Sequence, residues 1–410
     1  MSVFRLLATM GLLLLAVSQV AATDDTMVVG RRHTIHSTLM DEDREYWISL
    51  PSSYSDSPDS YRTYPVLYVT DGEAYLPSVS GIVHFLSSES VYTFQIPELI
   101  IVGLSHPNRV RDLLPTHSLM GQNGQENARF GESGGGELFL EFIHEELIPH
   151  IDETYRTQPF RILMGHSSGG LLALHDLVSD RRSFSAHIAI DPSLWWDDRA
   201  TLRQARALME SGWDRHAVVH LSAAAPRPVE GYDVQMHFDA IKDFAGLLAD
   251  GDEEQFVSRY EYFPEEEHDT VALPGFSQGL KFVFEGYRPD FYGFMDNPSA
   301  MATQYEILTR RLGYTMLPPE GMVNILGQLA AGGGDVEGAL VFFRINRSNY
   351  PDSFHAVEAL VGALGESSEA VAEVELFLAH NPDHVEGREL LEELQPGDAQ
   401  GETTVKSMDE

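Results

Sequence analysis

Phe160-Arg161-Ile162-Leu163-Met164-Gly165-His166-Ser167-Ser168-Gly169-Gly170-Leu171-Leu172-Ala173-Leu174-His175 is the stretch on which the fold turns. Phe160 to Met164 is a short apolar run of strand type, Leu171 to His175 is helix-like, and Gly165-His166-Ser167-Ser168-Gly169 joins the two. A serine on so tight a strand–turn–helix junction stands with its hydroxyl exposed. Glycines on both sides let strand and helix pass without a Cβ clash, and the Ser168 backbone N–H then points to where an oxyanion would develop, aided by the helix N-terminus. The five-residue pattern alone recurs by chance; the strand before it and the helix after it make Ser167 a candidate nucleophile.

The same strand–helix alternation runs outward from this segment. Pro65 to Thr70, Glu98 to Leu104, His187 to Ile190 and Ala217 to Leu221 are continuous apolar runs, the signature of strands buried on both faces. Helical patterns fall between them at Glu137 to Tyr155, Gly169 to Val178, Asp233 to Ala249 and Leu273 to Glu285. The expected class is therefore α/β, with a mainly parallel sheet covered by helices. Thr26 to Thr38 and Asp43 to Leu50 alternate apolar and polar residues and read as an antiparallel pair at the sheet edge.

Composition changes after about residue 290, strand signals stop from Ala300 onward, and helical segments are expected near 300–312, 320–332, 335–349, 353–363, 368–380 and 384–394. The turns at Tyr350-Pro351 and Asn381-Pro382 recur at a spacing near the ~34-residue period of tetratricopeptide repeats, with Ala339, Phe342 and Phe343 on a packed face. The expected organisation is a signal peptide over 1–22, an α/β domain over 23–295, a small all-helical, tetratricopeptide-like domain over 296–395 and a disordered tail over 396–410. The leader has the three parts of a secretory signal: Arg5, the apolar run Leu6 to Val17, and small residues at Ala21-Ala22. That run is shorter than the ~20 residues of a spanning helix, so export to the periplasm or medium is expected, with no membrane span in the mature chain.

Composition narrows the function classes. Lys+Arg 27 against Asp+Glu 63 gives a net charge of −36 in 410 residues, which disfavours phosphate backbones and anionic membranes as partners. Without cysteine there are no disulfides, thiolate nucleophiles, zinc-thiolate sites or iron–sulfur clusters. His33 and His36 point to opposite faces of a strand and make a poor metal pair. The sequence implies no metal site and no organic cofactor.

A serine needs a base. His268, in Phe263-Pro264-Glu265-Glu266-Glu267-His268-Asp269, lies on a loop after a late strand, where this chain order places it. His220 in a strand and His237 in a helix read as structural histidines. The acid that orients the base is expected after the strand Ala217 to Leu221, where the first carboxylates are Glu230 and Asp233; a Ser–His dyad is the alternative.

Five motifs in order, over about residues 27 to 288, resemble the "putative esterase" family, which includes esterase D-like and enterochelin-esterase-like α/β-hydrolases. They are Tyr64 to Glu73, Asn108 to Thr116, Gly165 to Gly170, Ile190-Asp191-Pro192-Ser193-Leu194-Trp195-Trp196, and Pro264 to His268. The resemblance implies an α/β-hydrolase fold and a serine carboxylesterase with Ser167 as nucleophile and His268 as base. It places the second oxyanion N–H at Gly72 or Glu73, beside that of Ser168, and Trp195 and Trp196 in the substrate cleft. Asp191 stands where the family usually has Ser, and the family's Gly and Glu after the penultimate strand are replaced near Ala224 and Pro226 to Pro228. The expected partner is a small-molecule ester (siderophore, aryl or short acyl), with protein or self-association through the C-terminal helices. An acyltransferase of the same fold, or a binding or scaffold protein using the helical tail, is the competing function.

Overall fold

A computed structural model describes residues 27–54, 61–230, 233–251 and 256–395. The expected signal peptide and polar tail lie outside the described residues. Among those described, β1 (Arg31–Ser37), β2 (Glu42–Ser49), β3 (Tyr64–Val69), β4 (Ile100–Leu104), β5 (Thr157–His166), β6 (Ala186–Ile190), β7 (Ala217–Ala224) and β8 (Phe256–Phe263) form one sheet in the order β1-β2-β4-β3-β5-β6-β7-β8. The pairs β1–β2 and β2–β4 are antiparallel and the rest are parallel. This is an α/β-hydrolase sheet with its antiparallel edge where the alternating segments put it.

The helices are α1 (Gly72–Ser87), α2 (Arg109–Leu113), α3 (Gly136–Phe142), α4 (Ile148–Thr154), α5 (Ser168–Leu177), α6 (Trp196–Ser211), α7 (Val234–Ala249) and α8 (Ala272–Val283). A π-helical turn over Ile143–Leu147 joins α3 to α4. Side chains alternate across each strand, so one strand feeds two cores. Leu67 and Val69 of β3 share a cluster with Leu76 and Val79 of α1 and Phe276 and Leu280 of α8. Val66 and Tyr68, one residue out of step, pack with Phe139 and Leu140 of α3. Further along, Ala189, Val219 and Leu221 meet Leu171 and Leu174 of α5 and Ile241 and Phe244 of α7.

Beyond α8 come α9 (Phe291–Asp296), α10 (Ala300–Leu312), α11 (Glu320–Gly332), α12 (Val336–Asn349), α13 (Phe354–Leu364), α14 (Ser368–His380) and α15 (Val385–Leu394). Ala339, Phe342 and Phe343 are buried on α12, on the face the sequence assigns them. The apolar packing does not break at residue 296. Met301, Tyr305, Leu308 and Leu312 of α10 and Val323 and Leu326 of α11 belong to the same cluster as Phe276 and Phe282 of α8. Burying such a side chain contributes about 1.5–3 kcal/mol, so α10 and α11 take part in the sheet domain's own core. Arg311 of α10 donates to the backbone oxygens of Phe282 and Val283 at 2.6 Å each, closing the C-terminus of α8. At the first residue of α11 the buried carboxylate of Glu320 accepts from Tyr61, from Ser353 and, at 3.0 Å, from Arg62. A smaller cluster of Val357, Val361, Ala370, Val374 and Phe377 holds α13 and α14 together. No helix among the described residues is long and apolar enough to cross a membrane.

Candidate active site

Ser167 sits between β5 and α5 at φ +59°, ψ −118°, a conformation L-residues rarely adopt. The two flanking glycines make that turn possible. A Cβ on Gly165 would fall 2.3 Å from the Gly169 carbonyl carbon, and one on Gly169 would fall 2.0 Å from Thr70 Oγ1. The turn is held by Ser167 N–H donating to Ile190 O at 3.0 Å and Ser193 N–H donating to Ser167 O at 3.0 Å. The Oγ of Ser193 lies 3.3 Å from that of Ser167.

His268 reaches this serine from the loop after β8. Its Nε2 is 3.0 Å from Ser167 Oγ, and its Nδ1 is 2.6 Å from Asp191 Oδ2. Asp191 directly follows β6 and is 2% exposed. Its Oδ1 accepts the Ala224 N–H at 3.0 Å and its own N–H donates to Ser222 O, so β7 clamps it from both ends. Burial alone would raise the Asp191 carboxyl; the electrostatic hold of His237 and His268 outweighs this and keeps it well below the usual carboxylate range. An ionised carboxylate only accepts. The ring proton of His268 therefore sits on Nδ1, and Nε2 is left to accept from Ser167.

This geometry corrects the acid assignment. Glu230 is exposed, and Asp233 caps α7, its side chain accepting from Met236 N–H at 2.9 Å. The carboxylate on His268 comes from β6 rather than from beyond β7. The signal for it was in the sequence, as the acidic residue that replaces Ser before Pro192. Because β6 pairs with β5 at His166↔Ile190, the position after Ile190 is one strand from the nucleophile.

Two further histidines meet this site: His237, which the sequence assigned to structure, and His166, to which it assigned nothing. His237 of α7 brings Nε2 to 3.2 Å from Asp191 Oδ2 and sets its ring edge-on to His268, 5.4 Å between centroids at 83°. Its helical position suggested packing, and only the tertiary fold brings it to Asp191. His166, within the elbow, donates from Nε2 to the backbone oxygen of His268 at 2.7 Å, while its Nδ1 accepts from the Tyr75 hydroxyl at 3.0 Å. Burial is the main reason its imidazole falls to about 4, with nearby His268 adding to the effect, so it is neutral at pH 7. His166 thus ties the base-bearing loop to the turn that carries the nucleophile.

Ser168 is the first residue of α5, and Gly72 and Glu73 open α1, where backbone N–H groups lack intrahelical acceptors. Thr70, packed on Gly169, brings the β3–α1 turn against the elbow. Arg109 holds that turn, donating to both carboxylate oxygens of Asp71 at 2.6 and 3.1 Å. The two tryptophans part company. Trp195 is half-buried at the surface, whereas Trp196 is 1% exposed, donates to Thr116 O at 3.2 Å and packs on Phe130 at 5.0 Å. Trp196 is therefore a core residue, and the expectation that it lines the cleft is corrected. It begins a kinked helix whose next three residues, Asp197, Asp198 and Arg199, are left-handed at φ +47°, +49° and +60°.

The family model described as "Putative esterase" matches residues 37–257. The chain belongs to this esterase family. An IroE-like serine hydrolase from Shewanella oneidensis is 31% identical with a TM-score of 0.71, the match covering 78% of this chain and 99% of that one. The siderophore enterobactin esterase of Emericella nidulans is 26% identical over 268 residues, 58% of this chain and 88% of that protein. The ferri-bacillibactin esterase BesA of Bacillus subtilis is 26% identical over 253 residues, 59% of this chain and 86% of that protein. The esterase is a serine hydrolase acting on ester bonds.

Proposed function

We propose that this esterase is an exported carboxylesterase that cleaves siderophore-type esters through an acyl-enzyme on Ser167. The observation that carries the reading is the continuous relay Ser167–His268–Asp191, at 3.0 and 2.6 Å. Ser167 Oγ attacks the ester carbonyl and its proton passes to His268 Nε2. The imidazolium so formed is stabilised by Asp191 and gives the proton to the departing alkoxide. Water then attacks the acyl carbonyl, losing a proton to Nε2, and that proton returns to Ser167 Oγ as the acid departs. The backbone N–H of Ser168, with that of Gly72 or Glu73, supports the oxyanion, each such donor contributing about 3–4 kcal/mol to the transition state. Trp195, half-buried two residues after Ser193, is the aromatic side chain we assign to the substrate cleft. The relatives named as siderophore esterases favour that ester class, and the leader sequence favours export.

The test combines p-nitrophenyl acyl esters of graded chain length with a siderophore triester followed by chromatography, each with and without a serine-reactive organophosphonate. Turnover abolished by stoichiometric phosphonylation of Ser167 supports the acyl-enzyme route. Hydrolysis of the simple esters with the triester untouched would overturn the substrate class. Full activity after complete phosphonylation would overturn the mechanism.

A further inference from the structure

We propose that Asp191, His237 and His268 form a binding site for a borderline divalent cation such as Zn2+, and that its occupation switches the esterase off. One donor atom from each of the three residues lies within 4.8 Å of the other two. His268 Nδ1 and His237 Nε2 both face the same oxygen, Asp191 Oδ2, at 2.6 and 3.2 Å. Two imidazoles and a carboxylate suit zinc and its neighbours, and three protein ligands leave a fourth position for water. With metal–ligand bonds of about 2.0–2.2 Å, donors in a tetrahedral site stand about 3.3–3.6 Å apart. His237, at 3.2 Å, is within about 0.1 Å of that spacing from Asp191. His268 Nδ1, at 2.6 Å, reaches it from Asp191 with a side-chain shift of about 1 Å.

Two further observations favour a cation here. Both nitrogens of His237 are buried without a well-aligned hydrogen-bond partner among the described residues, so its contact with Asp191 leaves donor capacity over. The way in is acidic: the His268 side chain is 43% exposed, and Glu265, Glu267 and Asp269 stand exposed on the same loop. Such a cluster raises the local cation concentration. Glu267 is partly neutralised by Arg227 at 2.6 Å.

The mechanism of shut-off follows from the imidazole. Catalysis requires the proton on Nδ1 and the lone pair on Nε2. A cation on Nδ1 takes that lone pair and leaves the ring proton on Nε2, where Ser167 needs an acceptor. No bond to substrate or serine is involved, so inhibition is reversible. Although inhibition rests on His268 being the base, cation binding does not, and the two are read separately.

The experiment titrates ZnCl2 into the full-length protein in a non-chelating buffer. Binding is followed by calorimetry, and hydrolysis of a non-chelating p-nitrophenyl ester is followed in parallel. The expected result is one tight site, inhibition that tracks its occupancy, and recovery with EDTA. His237→Gln should weaken both by at least about tenfold, each curve normalised to the variant's own uninhibited rate. Co2+ serves as a spectroscopic stand-in on the wild type, independent of how the variant folds, and should show the intense visible bands of a low-coordinate nitrogen–oxygen site. Binding that His237→Gln leaves unchanged would place the cation elsewhere, and binding that His237→Gln weakens but that leaves the rate untouched would remove the switch; either result would overturn the proposal. So would an inhibition constant in His237→Gln within about threefold of wild type, or a Co2+ spectrum of a fully hydrated ion.

Discussion

Replacing Asp191 by Asn tests the relay at its most informative point, since it keeps shape while removing charge. The amide oxygen can still accept the Ala224 N–H, so the β6–β7 clamp survives. What is lost is the attraction between a buried carboxylate and the imidazolium that forms on His268, 2.6 Å away at closest approach. With charge centres about 4 Å apart and an effective dielectric near 20, that attraction is about 4 kcal/mol, or about 10³-fold in kcat. The amide also presents N–H to Nδ1 and so favours the wrong tautomer, which brings the expectation toward the ~10⁴-fold loss known for such triads. The assay is kcat on a soluble p-nitrophenyl ester, with thermal unfolding run alongside to show that the variant is folded. Glu230→Gln and Asp233→Asn are the controls, expected within about threefold of wild type because neither meets His268. A folded Asp191→Asn enzyme within about tenfold of wild type would refute the assignment, since a charge this close and this buried cannot be worth so little.

Ser167→Ala should leave the fold intact and lower kcat by at least about 10³-fold, read by the same assay. Gly169→Ala drives a Cβ to 2.0 Å from Thr70 Oγ1 and should cost about 1–3 kcal/mol in denaturant unfolding, with a loss of kcat as the elbow shifts. His166 adds a pH dependence to stability. Its folded value of about 4 lies below the ordinary 6.5, so its contribution is complete above pH 6.5 and is lost as pH falls toward 4. The loss reaches about 3 kcal/mol, and a His166→Gln variant should lack that part of the slope in unfolding measured across this range. Glu320→Ala strands Arg62 beside the hydroxyls of Tyr61 and Ser353 and should lower stability by about 2–3 kcal/mol in denaturant unfolding, without changing kcat.

The parallel sheet was legible because its strands are buried on both faces. Runs such as Val66 to Val69 and Ile162 to Met164 leave no ambiguity of period. The α10 to α15 segments were equally plain, since Pro and Gly punctuate them. Four helices, α1, α2, α6 and α9, were not. α2 and α9 are single short turns of five and six residues, too brief for a period to show. In α1, Pro77 and Gly81 interrupt the pattern. In α6, Trp196, Thr201, Leu202 and Ala205 are the buried residues, and the left-handed turn at Asp197 to Arg199 offsets them from a single stripe. At the site, Ser167 and His268 announce themselves through local context, an elbow and a post-strand loop. Asp191 and His237 do not, because their roles exist only once β6 lies beside β5 and α7 folds back over it. The reach of α10 and α11 into the main core was hidden for the same reason: an amphipathic helix declares that it has an apolar face, not what covers it.

The base and its partners are anchored to different parts of the sheet. Ser167 and Asp191 follow central strands, whereas His268 follows β8, the outermost strand, whose residues are mostly half-buried or exposed. Its loop is pinned by Ala225 N–H donating to Glu266 O, by Arg227 on Glu267 and by His166. An outer strand opens more readily than a central one, so gentle heating should release His268 while the rest of the sheet persists. The enzyme would then lose activity some degrees below its melting transition and regain it on cooling. A rate-versus-temperature curve that bends before the calorimetric onset would mark β8 as the thermal fuse of this active site, and as the first place to reinforce when heat tolerance is wanted.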